Sequence, residues 1–263
     1  MKIGFFTHIS DHLFESFGAQ KLINSLKFFH PEIPLHVFGT KELDEEFQKD
    51  PWQNWLTINP VMALRIIDSY DMLVHFDADS MVTGRLDELL QGDFEIAGVR
   101  NNCDKGTAGC FPVPAKILKK VDGELIEVFK VHPHKYINAG LVGSTSKKFW
   151  KDWVFYNKMF NAKDYNSGEQ DILNLIFHST TYKTKILDAL EIPVYYGISN
   201  SYGTNHHWES WKEIAVADDK LFLNGKQVKV LHHAGGHGAL PKLNFNLFSP
   251  EVSAFLTRIT GLH

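Results

Sequence analysis

Short apolar runs bounded by polar residues alternate along this chain with longer stretches in which apolar residues recur every three or four positions. These are the two periods of buried strands and of helices packed on one face. Lys2 to Thr7 predicts a strand. Ala19 to Phe29, with Leu22, Ile23, Leu26 and Phe29 on one side, predicts a helix, and Leu35 to Phe38 the next strand. Pro60 suits the first turn of a helix running through Leu64 and Ile67 to Tyr70. Residues 71 to 79, Asp-Met-Leu-Val-His-Phe-Asp-Ala-Asp, read as a buried strand that delivers two carboxylates at its downstream end. Asp87 to Leu90 then predicts a short helix, Glu95 to Val99 and Tyr136 to Gly143 strands, and Lys147 to Phe160 and Glu169 to Phe177 helices. Lys116 to Lys130 carries no decisive period. Asn224-Gly225 marks a hairpin whose second arm, Gln227 to Leu231, runs into His232-His233-Ala234-Gly235-Gly236-His237-Gly238. The alternation of strand and helix predicts an α/β fold, and without a repeat or linker the expectation is one domain over residues 1 to 263.

Composition narrows the partners. At 263 residues, 44% hydrophobic and 22% charged, the chain is long enough to bury a sizeable core. Its 27 Lys and Arg against 31 Asp and Glu give a net charge of −4, and no basic run forms a stripe, so nucleic acid is not an expected partner. The first residues enter a strand pattern without the apolar core and cleavage site of a signal peptide. No segment reaches the ~18 uninterrupted apolar residues of a membrane span. A cytoplasmic location is the resulting expectation. Cys103 and Cys110 have neither the number for a disulfide framework nor the spacing of a zinc knuckle, and read as free thiols.

Asp77 and Asp79 change the picture most. At i, i+2 they share a side of the strand end, where like charges repel and one carboxyl is pushed to hold its proton. A divalent cation removes that cost; hard oxygen ligands suit Mg²⁺ or Mn²⁺, ions that complete their shells with substrate phosphates. The alternative for an isolated Asp-x-Asp is that one aspartate caps the next segment and the other is solvated.

Three further segments follow: Tyr-Ile-Asn-Ala-Gly-Leu-Val around Asn138, Ala139 and Gly140; Gly-Glu-Gln-Asp-Ile-Leu-Asn at 168 to 174; and a His-x-x-Gly near the C-terminus. With the Asp-x-Asp, in this order, they resemble the GT-A glycosyltransferases, most closely glycosyltransferase family 8, which includes glycogenin and bacterial lipooligosaccharide galactosyltransferases. The resemblance covers roughly residues 1 to 240. It implies a GT-A fold, a Rossmann-like α/β architecture whose mixed central sheet is flanked by helices. It also implies retaining transfer of a hexose from a nucleotide sugar, UDP-linked, to a glycan or other hydroxyl acceptor, with Mn²⁺ or Mg²⁺.

Carried onto this sequence, the resemblance makes Asp77, Asp79 and His232 the metal ligands, with Asp77 also holding the donor diphosphate. His233 opens a second His-x-x-Gly with Gly236, so the register leaves either histidine. Gly235 lets backbone N–H groups approach phosphate oxygens. The family's Lys-Pro pair after this histidine is missing; Gly238 stands at its position, with Lys242 after Pro241 as a possible substitute. Asn138, Ala139 and Gly140 match the turn facing donor sugar and ribose. Glu169, Gln170 and Asp171 match the catalytic segment: Gln170 stands on the β-face of the sugar, Glu169 hydrogen-bonds sugar hydroxyls, and Asp171 either acts there or complements a helix dipole. An amide is a poor nucleophile, so front-face displacement is expected rather than a covalent intermediate. Thr7 and His8 fall at the base-binding strand end, and Arg65 on a helix that reaches the diphosphate. Tyr202, Trp208 and Trp211 either stack on an acceptor sugar or belong to the core. Two readings compete with the enzyme: a non-catalytic nucleotide-sugar or glycan-binding protein of the same fold, and a haloacid dehalogenase-type phosphohydrolase. The latter's motif normally lies near the N-terminus with Thr or Val where Met81 stands.

Overall fold

Alternate residues of the first strand, β1 (Ile3–His8), face opposite ways, so Phe5 enters one hydrophobic layer and Phe6 the other. The computed structural model describes residues 1–39, 41, 58–100, 136–159, 169–179, 181–187, 196–197, 214–223, 225–232, 245 and 248–262. Helix α1 (Phe17–Phe29) follows, its N-cap Ser16 accepting a hydrogen bond from the Ala19 N–H at 3.3 Å, and leads to β2 (Leu35–Phe38), parallel to β1. Helix α2 (Ile58–Ile66) precedes β3 (Met72–Phe76), which pairs in parallel with the other edge of β1. Successive crossovers on opposite sides of β1 make a topological switch point. In open α/β sheets the crevice beyond the carboxyl ends of the strands at such a point is where ligands bind.

The chain continues through β4 (Ser80–Val82), α3 (Asp87–Leu90), β5 (Ile96–Arg100), β6 (Ile137–Ser144), α4 (Lys147–Met159), α5 (Glu169–Phe177) and β7 (Thr184–Leu187). The main sheet has the order β2-β1-β3-β6-β5-β7, with β6 antiparallel to both its neighbours. A mixed sheet with helices on its faces is what the α/β pattern and the resemblance implied. Helices α2, α4 and α5 cover one face, where Met62, Trp150, Trp153, Ile172 and Ile176 pack with Phe6, Leu73 and Val142. Leu22 and Leu26 of α1 pack on the other with Phe5, Val74 and Phe76.

Trp150 is fully buried, edge-on to Phe6 and stacked on Trp153. Replacing it with alanine is expected to cost about 3–5 kcal/mol, since transfer and cavity terms add. Urea titration checks this as a lowered midpoint.

Two small sheets complete the described structure. Strands β9 (Ile214–Ala217), β10 (Lys220–Leu223) and β11 (Lys226–Val228) form an antiparallel meander. The third sheet has the order β4-β12-β8, with β8 (Tyr196–Gly197) parallel and β4 antiparallel to β12 (Val230–His232). Helix α6 (Pro250–Thr260), capped by Ser249 and ended by Gly261 at φ 66°, closes over them through Phe255 and Leu256.

The structure corrects two sequence expectations. The arm expected to run unbroken from Gln227 to Leu231 divides at Lys229: Val228 ends the meander, and Val230 begins the strand that pairs with β4. The apolar period is continuous across the break, and only the partner strands differ. Asp77 and Asp79 also lie beyond β3, in a turn whose Ser80 N–H donates to the Asp77 carbonyl at 3.0 Å, rather than on a shared side of the strand. Cys103, Cys110, Tyr202, Trp208, Trp211, His233, Gly235, Gly238 and Lys242 lie outside the described residues. No described helix is long and apolar enough to cross a membrane.

Candidate metal centre and adjoining bulge

The turn after β3 leads the chain out of the main sheet into β4, and β4 pairs with β12 so that Ser80 stands opposite His232. That register sets His232 beside Asp79, more than a hundred residues away in sequence. His232 Nε2 lies 2.7 Å from Asp79 Oδ1 and 3.4 Å from Asp77 Oδ2. One ligand atom from each residue can be chosen so that all lie within 4.8 Å of one another. Opposite ligands of an ion with ~2.1 Å bonds stand ~4.2 Å apart, so a small adjustment of these side chains encloses a divalent cation. Two carboxylates and an imidazole are a suitable donor set for one.

Burial by itself would lower the His232 pKa, but Asp79 and Asp77 outweigh it and carry it up to about 9. Without a cation the imidazolium therefore bridges the two carboxylates. The repulsion expected of the pair is answered by the third member of the cluster.

Ala139 and Gly140 lie in a bulge of β6 that begins after Asn138. Opposite it the β5 register passes from Gly98, paired with Val142, directly to Val99, paired with Asn138. Four contacts fix the bulge, three of them to the aspartate turn, α5 and β3 and one within the segment. The Asp77 N–H donates to the Gly140 carbonyl at 2.9 Å, the Gly140 N–H to Asn138 Oδ1 at 2.6 Å, and the Ala139 N–H to Gln170 Oε1 at 3.0 Å. His75 Nδ1 lies 3.0 Å from the Ala139 carbonyl, which fixes the proton on that nitrogen. Beneath, Asn174 brackets Ile137, accepting from its N–H at 2.7 Å and donating to its carbonyl at 2.8 Å.

Gln170 and Asp171 are thus structural members of the site. The Gln170 amide is oriented at both ends, since its Nε2 also donates to the Tyr136 hydroxyl at 3.2 Å, and that hydroxyl donates to Asp171 Oδ1 at 2.6 Å. One lone pair of Gln170 Oε1 is committed to Ala139, and the amide oxygen carries a second. Asp171 is fully buried. Glu169 has a buried Oε2 without a described hydrogen-bond partner; burial first, then Asp77 and Asp171, push its carboxyl well above the usual range.

Thr7 and His8 are buried at the carboxyl end of β1, beside the switch point, and Thr7 Oγ1 has no hydrogen-bond partner among the described residues. Arg65 is not brought to the cluster: it is exposed on the last turn of α2, which leads to the opposite end of β3 from the aspartates. His75 escaped the sequence reading. Its signal was a histidine inside an apolar strand, two residues before Asp77; it is fully buried, with Nε2 3.8 Å from Asp77 Oδ1, and burial holds its pKa below the ordinary value.

No family model matches the chain, and no curated protein matches it in sequence. Solved structures do. The galactosyltransferase LgtC, in complex with donor and acceptor sugar analogues, matches over 98% of this chain and 95% of its own, with a TM-score of 0.52 and 15% identity. The chain has the GT-A fold. GlyE of Streptococcus pneumoniae TIGR4, a glycosyltransferase, shares this GT-A frame with a TM-score of 0.53 at 14% identity, over 99% of this chain and 63% of its own. The bifunctional WbbM matches at a TM-score of 0.54 and 18% identity; the matched part covers 89% of this chain and 46% of WbbM. A second LgtC structure carries a glutamine-to-glutamate substitution in its active site, with a TM-score of 0.52 and 14% identity. Within the GT-A frame of this chain, the Asp77–Asp79–His232 cluster, the bulge and the end of β1 all lie at the end of the sheet where β1 and β3 terminate.

Proposed function

We propose that this protein is a metal-dependent retaining hexosyltransferase. In this reading one GT-A domain over residues 1–263 moves a hexose from a nucleotide sugar, UDP-linked, to a hydroxyl of a glycan or other acceptor, in the cytoplasm. The observation that carries it is the convergence of Asp77, Asp79 and His232 beside the bulge at Ala139 and Gly140, at the carboxyl ends of β1 and β3. The sugar analogues bound to LgtC and its active-site glutamine support the same reading.

When bound at the cluster, Mn²⁺ or Mg²⁺ neutralises the charge that develops on the departing diphosphate. The chain's own groups do the rest. Thr7 and His8 border the base, Asn138, Ala139 and Gly140 face the ribose and donor sugar, and Gly235 is the residue the resemblance assigns to a phosphate. Glu169, whose carboxyl burial pushes well above its usual range, hydrogen-bonds a sugar hydroxyl. The second lone pair of Gln170 Oε1 faces the positive charge growing at the anomeric carbon, while Tyr136 and Ala139 hold the amide still. The acceptor oxygen attacks from the face the leaving phosphate departs, and its proton passes to that phosphate, so the configuration is kept.

Incubation with Mn²⁺ and a panel of UDP sugars is expected to release UDP in an EDTA-sensitive reaction. Proton NMR of the fresh product should show the small anomeric coupling of an α-linked gluco- or galacto-configured sugar. A large coupling would sink the retaining assignment. Tight binding of a UDP sugar with no UDP release for any acceptor would favour the non-catalytic reading.

A further inference from the structure

Helix α1 buries a lysine. Lys21 is only 2% exposed, on the same face as Leu22, Ser25 and Leu26 and among the residues that pack onto the sheet. An ammonium in such a place carries a large desolvation cost unless an anion answers it. Burial lowers its pKa to about 8, and the charge that opposes this is Asp79.

The helix geometry explains the pairing. Ser25 Oγ accepts from the Val82 N–H at 3.0 Å, docking the middle of α1 on the far end of β4. Lys21 is one turn earlier on that face, and long helical side chains lean toward the N-terminus. This directs Lys21 along β4 toward Ser80 and Asp79, at the edge of the metal cluster.

We propose that Lys21 couples the metal to the nucleotide: it weakens binding of a divalent cation alone and strengthens binding of a diphosphate to the metal-loaded site. The inference rests on the proposed function for the identity of the diphosphate. Without an ion, Asp77, Asp79, the His232 imidazolium and the ammonium together carry no net charge. A divalent cation that displaces the imidazole proton turns that into one net positive charge, with Lys21 repelling the incoming ion. The loaded centre is then an anion site, in which Lys21 attracts the diphosphate that the metal also binds. Metal-first binding of the nucleotide follows from the charge arrangement alone.

Isothermal titrations of Mn²⁺ alone, and of UDP at saturating Mn²⁺, test this in wild type, Lys21→Met and Lys21→Arg. Lys21→Met keeps the length of the side chain and removes only its charge. It is expected to bind Mn²⁺ at least about tenfold more tightly and UDP at least about tenfold more weakly, since even at the dielectric of bulk water a unit charge ~6 Å from a divalent one shifts binding by about that factor. Lys21→Arg should restore both values toward wild type. A merely structural lysine would move both affinities the same way, so parallel losses, or no change in either, overturn the proposal. If Lys21→Met does not fold, Lys21→Gln is read in its place, and failure of both to fold makes Lys21 structural and overturns it too. A wild type that binds Mn²⁺ but no UDP instead overturns the nucleotide reading on which the coupling depends. A wild type that binds both, with parallel losses in Lys21→Met, leaves that reading standing and removes only Lys21.

Discussion

Asp79→Ala is expected to abolish Mn²⁺-dependent UDP binding, with Mn²⁺ affinity lowered by more than about 100-fold. Loss of a partner outside the coordination shell already costs about 10–100-fold, and Asp79 would be in the shell itself. Its Oδ1 lies 2.7 Å from His232 Nε2, so it is the closest carboxylate to the third ligand. The metal-free protein should respond as well. If the two aspartates merely repelled each other, the substitution would stabilise the fold. With an imidazolium held between them, removing the nearer carboxylate strands a buried charge. Circular dichroism should show the fold retained and a lowered melting temperature at pH 6, and calorimetry the lost Mn²⁺ binding. Unchanged Mn²⁺ affinity would count decisively against a metal role for the cluster.

The second large effect is one of pH. The metal-free His232 is raised from its ordinary 6.5 to about 9, although it is buried, because Asp79 and Asp77 face it. A group raised on folding stabilises the protein fully below its unfolded pKa, and the contribution fades as pH climbs through the folded one. The metal-free protein should therefore lose on the order of 3 kcal/mol between pH 6.5 and 9 on this account. Mn²⁺ must displace the same proton, so its apparent affinity should rise about tenfold per pH unit over that window. The ordinary histidine pKa would have placed this rise near neutrality; the two carboxylates move it upward. Lys21, lowered to about 8, also titrates, and it is common to wild type and His232→Gln. The difference between those two proteins in urea titrations and Mn²⁺ calorimetry across pH 6.5–9 isolates the histidine. Identical pH profiles would remove His232 from the centre and return the role to its neighbour His233.

Local pattern determined much of this protein. The periods of apolar residues located β1, α1, β2, α4, α5 and the hairpin turn to within a residue or two, because a buried face must repeat with the geometry of its element. The run ending in Asp77-Ala78-Asp79 was legible as chemistry for a similar reason: two carboxylates after five apolar residues are costly unless something cationic meets them. The sequence could not say what meets them. That depended on β4, too short for its period to be read, and on the split at Lys229 that turns Val230–His232 toward β4 instead of the meander. Pairing partners are chosen by tertiary packing and leave no local mark, so His232 comes to Asp79 only in the folded chain. Lys21 and His75 were hidden in the same way. Each interrupts an apolar face by one residue, and only the assembled sheet and helix reveal that these positions adjoin the carboxylates, where burial and opposite charge act on a single group.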